Sequence, residues 1–147
     1  MPKRFSNSVG VRFLKMNYDE VMSFLRSYAE RHVRDGDARL VVLYGSLARG
    51  DYTVFSDADL LIIVDKAEER IIDRIPRFLE PKAPIDLEPR VLTIAEALKM
   101  AEEGKKFLET VFSEGILLAG DKKLYEKILK ILRTSYPGHP LRFSFST

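Results

Sequence analysis

Apolar residues recur along this chain with two different periods, and the points where the period changes divide it into elements. Val21, Leu25, Tyr28, Ala29 and Val33 fall on one helical stripe, and Asn17 with Glu20 three residues later has the form of a capping box. The spacing predicts a helix from Asn17 to about Arg34, ended by Asp35-Gly36-Asp37. Arg39 to Tyr44 is a short, nearly unbroken run of apolar, β-branched and aromatic residues, the pattern of a strand buried on both faces, and it stops at Gly45. Leu60 to Val64 is a second such run. Asp65 and Glu68 form another capping-box pair ahead of Ile71, Ile72, Ile75, Phe78 and Leu79, so a strand followed by a helix is predicted there. Pro81 and Pro84 punctuate the chain. Ile85 to Leu92 then opens with apolar and acidic residues in alternation, Ile85 and Leu87 inward, Asp86 and Glu88 outward, as in a half-buried strand.

Thr93 with Glu96 opens a further helix by the same capping logic. Gly104 interrupts it, and Phe107, Leu108, Val111 and Phe112 continue an apolar face until Gly115. Ile116 to Ala119 is too short a run to assign from pattern alone. Asp121 caps a last helix with Leu124, Ile128, Ile131 and Leu132 inward, ended by Pro137, Gly138 and Pro140 before a Phe-containing tail. Strands and helices interleave in an α/β (α+β) order. The expected organisation is one domain over residues 1–147, with a sheet over about 39–92, a helical part over about 93–135 and a tail over 136–147. No internal repeat or low-complexity linker is present.

Composition narrows the chemistry. A length of 147 residues with 46% hydrophobic and 31% charged residues supports a core of ordinary size and excludes disordered and collagen-like classes. No apolar run approaches the ~20 residues of a membrane span, and Met1 to Lys15 carries four cations without a signal-peptide core; a cytoplasmic protein without membrane attachment is expected. The absence of cysteine removes disulfides, thiolate nucleophiles and Cys-ligated zinc, while His32 and His139 are too isolated for a His-based metal site. Any metal must be held by oxygen, which favours magnesium or manganese. A net charge of +2 does not argue for nucleic-acid binding. Lys122, Lys123, Lys127, Lys130 and Arg133 on the last helix read as a solvated face.

The candidate chemistry lies between Gly45 and Asp59. A glycine directly after a buried strand lets the backbone turn sharply and approach a ligand, and Ser46 can start a short helical turn through Leu47, Ala48 and Arg49. Backbone N–H groups at such a start point outward, Ser46 adds a hydroxyl, and a triphosphate tail fits there. Arg49 either adds charge-assisted phosphate contacts or pairs with a neighbouring carboxylate. Asp57 and Asp59, two apart at the entry of a strand, project to one face, with Ala58 on the other. At about 4 Å and an effective dielectric near 20, a pair of like charges costs roughly 4 kcal/mol, so a third carboxylate nearby calls for a cation. Asp86 supplies that third carboxylate if its strand lies beside the one that follows Asp57; Glu88 has the same credentials on charge alone.

Taken together, Gly45-Ser46, a ten-residue spacer and Asp57-Ala58-Asp59 resemble the signature of the DNA polymerase beta nucleotidyltransferase superfamily, in its minimal nucleotidyltransferase (MNT-type) branch. Ala48-Arg49-Gly50 and Ser56-Asp57-Ala58-Asp59-Leu60 match that branch in detail, over roughly Val41 to Leu92, and Asp86 stands where its third acidic strand residue is expected. The resemblance implies a nucleotidyltransferase fold, a mixed β-sheet flanked by helices. It also implies two magnesium ions held by Asp57, Asp59 and Asp86 as metal and catalytic residues, with the triphosphate of ATP bound by Gly45, Ser46 and Arg49. Asp57 and Asp59 would bridge both ions, and Asp86 would ligate the acceptor-side ion.

The implied reaction moves a nucleoside monophosphate, AMP from ATP in the first instance, onto a hydroxyl, an adenylyltransferase activity whose acceptor is a partner protein in one form. Members of this branch are often paired with a HEPN-type helical protein as antitoxin to toxin. An antitoxin-type module that neutralises such a toxin by complex formation, in a homo- or hetero-oligomer, is therefore the alternative. A sugar-nucleotide glycosyltransferase would explain the Asp-x-Asp pair but not Gly45-Ser46 at this spacing, and three retained Asp residues argue against an inactive relative.

Overall fold

The structure is a computed structural model that describes residues 7–135, with side chains from Asn17 onward; the sequence-predicted tail lies outside the described residues. Helix α1 (Asn7–Arg34) is followed by strand β1 (Leu40–Tyr44), a one-turn helix α2 (Ser46–Arg49), and strands β2 (Ala58–Val64) and β3 (Leu87–Thr93). Helices α3 (Ile94–Glu102) and α4 (Lys106–Glu114), strand β4 (Ile116–Gly120) and helix α5 (Lys122–Ser135) complete it. The four strands lie in the order β3-β2-β1-β4. β1 is antiparallel to both β2 and β4, while β2 and β3 are parallel, so the sheet is mixed as expected.

The unbroken apolar run of β1 has its reason in this order: β1 is central and covered on both faces. Val41 and Leu43 join Leu60 and Ile62 under Val21, Leu25 and Tyr28 of α1. Leu40 and Val42 join Leu61 and Ile63 under α3, α4 and α5, with Phe112, Tyr125 and Ile128 at the centre of that layer. Alternation along β2 thus assigns Ala58, Leu60 and Ile62 to the α1 side and Leu61 and Ile63 to the other. β3 is an edge strand, which is where Pro89, lacking an N–H, is tolerated. The basic face of α5 is exposed at Lys122, Lys123, Lys127, Lys130 and Arg133. Among the described residues no helix is long and apolar enough to cross a membrane.

Several boundaries differ from the pattern reading. α1 begins ten residues before Asn17, so Asn17 lies inside a helix and caps nothing: extending an existing helix adds a hydrogen bond per residue, and no proline in this stretch interrupts it. The helix expected after Asp65 is instead two 3₁₀ turns, Ile71–Arg74 and Pro76–Phe78. Pro76 cannot donate to an α-helical ladder, and Ile71, Ile72 and Leu79 remain exposed while only Phe78 of that stripe is buried at this end. The short run at Ile116 is strand β4, recruited by pairing with β1. The Thr93–Glu96 capping box and the Asp121 cap on Leu124 N–H form as predicted.

Arg74 fixes the irregular segment to the sheet. Its side chain is buried, donates to the carbonyls of Glu68 and Val91, and meets the Glu96 carboxylate at 2.7 and 3.0 Å. The guanidinium, helped by the Thr93 cap and only partly opposed by burial, leaves Glu96 well below its ordinary value, at about 2. A depressed carboxyl contributes stability that is present above its unfolded value near 4.5 and lost as pH falls towards 2. We expect Arg74→Ala to cost about 3 kcal/mol, because carbonyls and a carboxylate lose their donor together. In thermal melts from pH 5 to pH 2, Glu96→Gln should show a shallower acid loss than the parent chain; identical slopes would rule out this pair as the acid-labile element.

Candidate active site

β1 delivers the chain to Gly45 just past its C-terminal end, and the turn there is one that only glycine makes easily. Gly45 has φ 81° and ψ −159°, and a Cβ on it would stand 2.2 Å from Asp59 Oδ2. Gly45 and Asp59, 14 residues apart in sequence, are therefore packed against each other with no room for a side chain between them. α2 follows at once: Arg49 N–H donates to the Gly45 carbonyl at 3.0 Å, and Gly50, in the left-handed region, closes the turn on the Ser46 carbonyl at 2.9 Å. Ser46 Oγ donates to Ser56 Oγ at 3.0 Å, and Ser56 Oγ accepts from Thr53 N–H at 2.8 Å. Ser56 thus ties the start of α2 to the residue before Asp57. Tyr52 stacks on Tyr18 of α1, with ring centres 5.1 Å apart, and pins the connecting loop from the other side.

The sheet register decides which acids share a neighbourhood. Tyr44 pairs with Asp59 across β1 and β2, and Asp59 pairs with Glu88 across β2 and β3, so these three stand in a row. Asp86 lies just before β3, where its carbonyl accepts from Ala58 N–H at 2.9 Å. Asp57 and Asp86 are among the residues that line one cavity of about 420 Å³, with Asn17, Val21, Ile85 and the exposed Phe55. The acids predicted from sequence are therefore divided: Asp57 and Asp86 border this cavity, whereas Asp59 is half-buried beside Glu88. Burial first, then the charges of Glu88 and Asp57, push the Asp59 carboxyl above its ordinary value, and Arg49 partly offsets them. Tyr44 is pushed up as well, by burial and by Asp59.

The donors present are oxygens of carboxylate type, the set that suits a hard divalent cation, and Asp59 is a carboxylate whose ionisation such a cation would favour. Among the described residues no three acidic or histidine side chains are drawn together closely enough to hold a metal ion. The donors suit magnesium in chemistry; Asp57 and Asp86 lie just before β2 and β3, and Asp59 and Glu88 are the acids paired in the strand register.

Arg49 is not idle. Its Nε donates to Asp51 at 3.1 Å and its Nη1 to Glu114 at 3.0 Å, and both carboxylates favour its charged form. Glu114 Oε2 also accepts from Gly45 N–H at 2.6 Å. No motif spacing singles out Glu114: it is 69 residues from Gly45 and arrives because β4 pairs beside β1. Glu88 was legible as an acidic strand residue, but only the register places it beside Asp59 rather than Asp57.

A family model for the nucleotidyltransferase domain matches residues 24–118, well over half of the chain. The chain belongs to that family. The nucleotidyltransferase domain is 32% identical over 105 residues to a bifunctional uridylyltransferase/uridylyl-removing enzyme of Pseudomonas fluorescens, covering 69% of this chain and 11% of that protein. Over 44 residues it is 43% identical to MJ0604 of Methanocaldococcus jannaschii, provisionally named a protein adenylyltransferase, covering 30% of this chain and 44% of that one. The chain thus spans about a tenth of the first relative's length and under half of the second's. In fold it is similar to a Sulfolobus solfataricus protein provisionally described as a nucleotidyltransferase, with TM-score 0.50 and 17% identity over 84% of this chain and 96% of that one. It is also similar to a chain of a toxin-antitoxin structure with AMP-PNP, with TM-score 0.53 and 18% identity over 76% and 86%. Both likenesses are of fold.

Proposed function

We propose that this nucleotidyltransferase domain transfers AMP from ATP to a hydroxyl acceptor in the presence of magnesium. The observation that supports the reading is the contact between Gly45 and Asp59: a glycine turn and a carboxylate whose ionised form a cation would favour are packed against each other. Gly45, Ser46 and Arg49 bind the triphosphate, and Arg49 adds charge-assisted hydrogen bonds that orient it. Asp57, Asp59 and Asp86 hold the magnesium ions, which, when bound, stabilise charge on the phosphates and lower the pKa of the acceptor hydroxyl. Asp86 is exposed and borders a cavity with Asp57, which supports its reading as the acceptor-side group that would take the hydroxyl proton. Glu88 adds negative charge beside Asp59 and strengthens its need for a cation. The acceptor oxygen bonds to the α-phosphorus as the bond to the pyrophosphate oxygen breaks, which leaves a nucleoside monophosphate on the acceptor.

The name of one relative supports a protein acceptor: MJ0604 is provisionally named a protein adenylyltransferase. The likeness of fold to a chain of a toxin-antitoxin structure favours a second reading, an antitoxin-type module that neutralises a HEPN-type helical toxin by forming a hetero-oligomer with it. One experiment separates them. The protein is incubated with the product of a neighbouring gene, α-labelled ATP and magnesium, in the cytoplasmic pH range. Label on the partner supports transfer; a tight complex with no label on any protein, and none on small hydroxyl acceptors, sinks the transfer reading and leaves the binding module.

A further inference from the structure

The phosphate-side turn is held by a carboxylate from the far end of the fold. Glu114 is the last residue of α4, and a single oxygen, Oε2, accepts from Gly45 N–H at 2.6 Å and from Arg49 Nη1 at 3.0 Å. The Glu114 side chain is 16% exposed against 45% for Arg49, so a sheltered group grips a solvated one. Its place follows from the sheet. β1 pairs with β4 as far as Leu43 and Ile116, so Gly45 N–H emerges where β4 has not begun, and Glu114 takes a donor that the ladder leaves without a strand partner. Asp51 holds the Nε edge of the same guanidinium at 3.1 Å. The two carboxylates together claim Nε and one donor of Nη1, which leaves Nη2 of Arg49 to meet another anion.

We propose that Glu114 is a positioning residue for nucleotide binding: it fixes the Gly45 turn and aims the Arg49 guanidinium before the triphosphate arrives. The proposal rests on the reading of Gly45, Ser46 and Arg49 as the phosphate-binding turn. An arginine on a flexible stem loses rotamer freedom when it grips a ligand, and a pre-formed contact moves that loss into folding. The negative charge of Glu114 acts in the opposite sense, since it repels phosphate and partly neutralises Arg49. Two features of the geometry favour positioning over competition. The oxygen that holds Arg49 also holds the backbone of the turn, and the contact leaves part of the guanidinium open rather than covering it.

The test is calorimetric titration with a non-hydrolysable ATP analogue and magnesium, for the parent chain, Glu114→Ala, Glu114→Gln, Glu114→Asp, Arg49→Ala and the double variant Glu114→Ala with Arg49→Ala. Thermal melts check the fold of each. Glu114→Ala should weaken binding about tenfold, and Glu114→Gln, which keeps an acceptor oxygen in place, should recover most of it. Glu114→Asp keeps the charge but cannot span both donors, so it should bind like the alanine variant; it also carries the test if Glu114→Ala does not fold. In the Arg49→Ala background the cost of Glu114→Ala should shrink to less than about threefold, a coupling that general loss of stability would not produce. Tighter binding by Glu114→Ala or Glu114→Gln, parent-like binding by Glu114→Asp, or an undiminished cost without Arg49 would each overturn the proposal. If the parent chain binds no analogue, the nucleotide reading itself falls and takes this inference with it; if the parent binds and the Glu114 variants bind equally, only this inference falls.

Discussion

Asp59→Asn is expected to reduce nucleotide transfer by about a thousandfold, ~4 kcal/mol of transition-state stabilisation, while leaving the fold as stable as before or more so. The two halves of this expectation have one cause. Asp59 is half-buried beside Glu88, within the field of Asp57 and Glu114, and its carboxyl is raised above its ordinary value by burial and by those neighbours. For an acid the sign is clear: a folded-state pKa above the unfolded one means that the ionised group opposes folding at neutral pH, and that the opposition fades as pH falls through the raised value. Asparagine removes the charge at every pH, so the metal-free variant should melt at the same temperature or a few degrees higher. Calorimetry without metal and a labelled-transfer assay with magnesium measure both halves. A variant that keeps its activity would remove Asp59 from the site, and one that loses activity by unfolding would show that the carboxylate is structural.

Gly45→Ala should damage both stability and function, and the comparison with Gly36→Ala shows why. Both glycines have φ near 80°, at 81° and 83°, so each substitution carries the strain of a left-sided backbone. Gly36 has nothing within 4 Å of an added Cβ, and its replacement should cost only about 1 kcal/mol. At Gly45 the methyl would meet Asp59 Oδ2 at 2.2 Å, and the ψ of −159° belongs to a region that side chains essentially do not enter. Either the turn or the carboxylate must move. We expect a stability loss of about 2–4 kcal/mol and, in protein that remains folded at low temperature, a loss of nucleotide affinity of about a hundredfold. Equal effects of the two substitutions on affinity would show that the Gly45 and Asp59 contact does not serve the site.

How far the sequence carried the description differs from element to element. The buried strands at Leu40–Tyr44 and Ala58–Val64 were legible because a strand covered on both faces has no polar alternation to blur it. The Thr93–Glu96 box was legible because both partners lie within one turn. The helix expected after Asp65 was misread because the apolar spacing outweighed Pro76, and because the anchor of that segment is Arg74, whose partner Glu96 lies 22 residues further on. The start of α1 was misread because Asn17 has a capping residue's chemistry, and a local preference of that size yields to a helix already in progress.

The sequence by itself determined the family. Gly45-Ser46 after a buried run, Arg49 in the following turn and two aspartates separated by one residue are local patterns, and their spacing is that of a nucleotidyltransferase family. Tertiary structure alone decided the rest, because it depends on pairing between distant strands. Parallel register between β2 and β3 stood Glu88 beside Asp59 and left Asp86 with Asp57 along the lining of a cavity. Antiparallel pairing of β4 with β1 brought Glu114 across 69 residues onto Gly45 and Arg49. Side-chain period along a strand is readable from sequence, but which strand lies next to which, and one residue of register between them, is fixed only when both layers of helices close over the sheet.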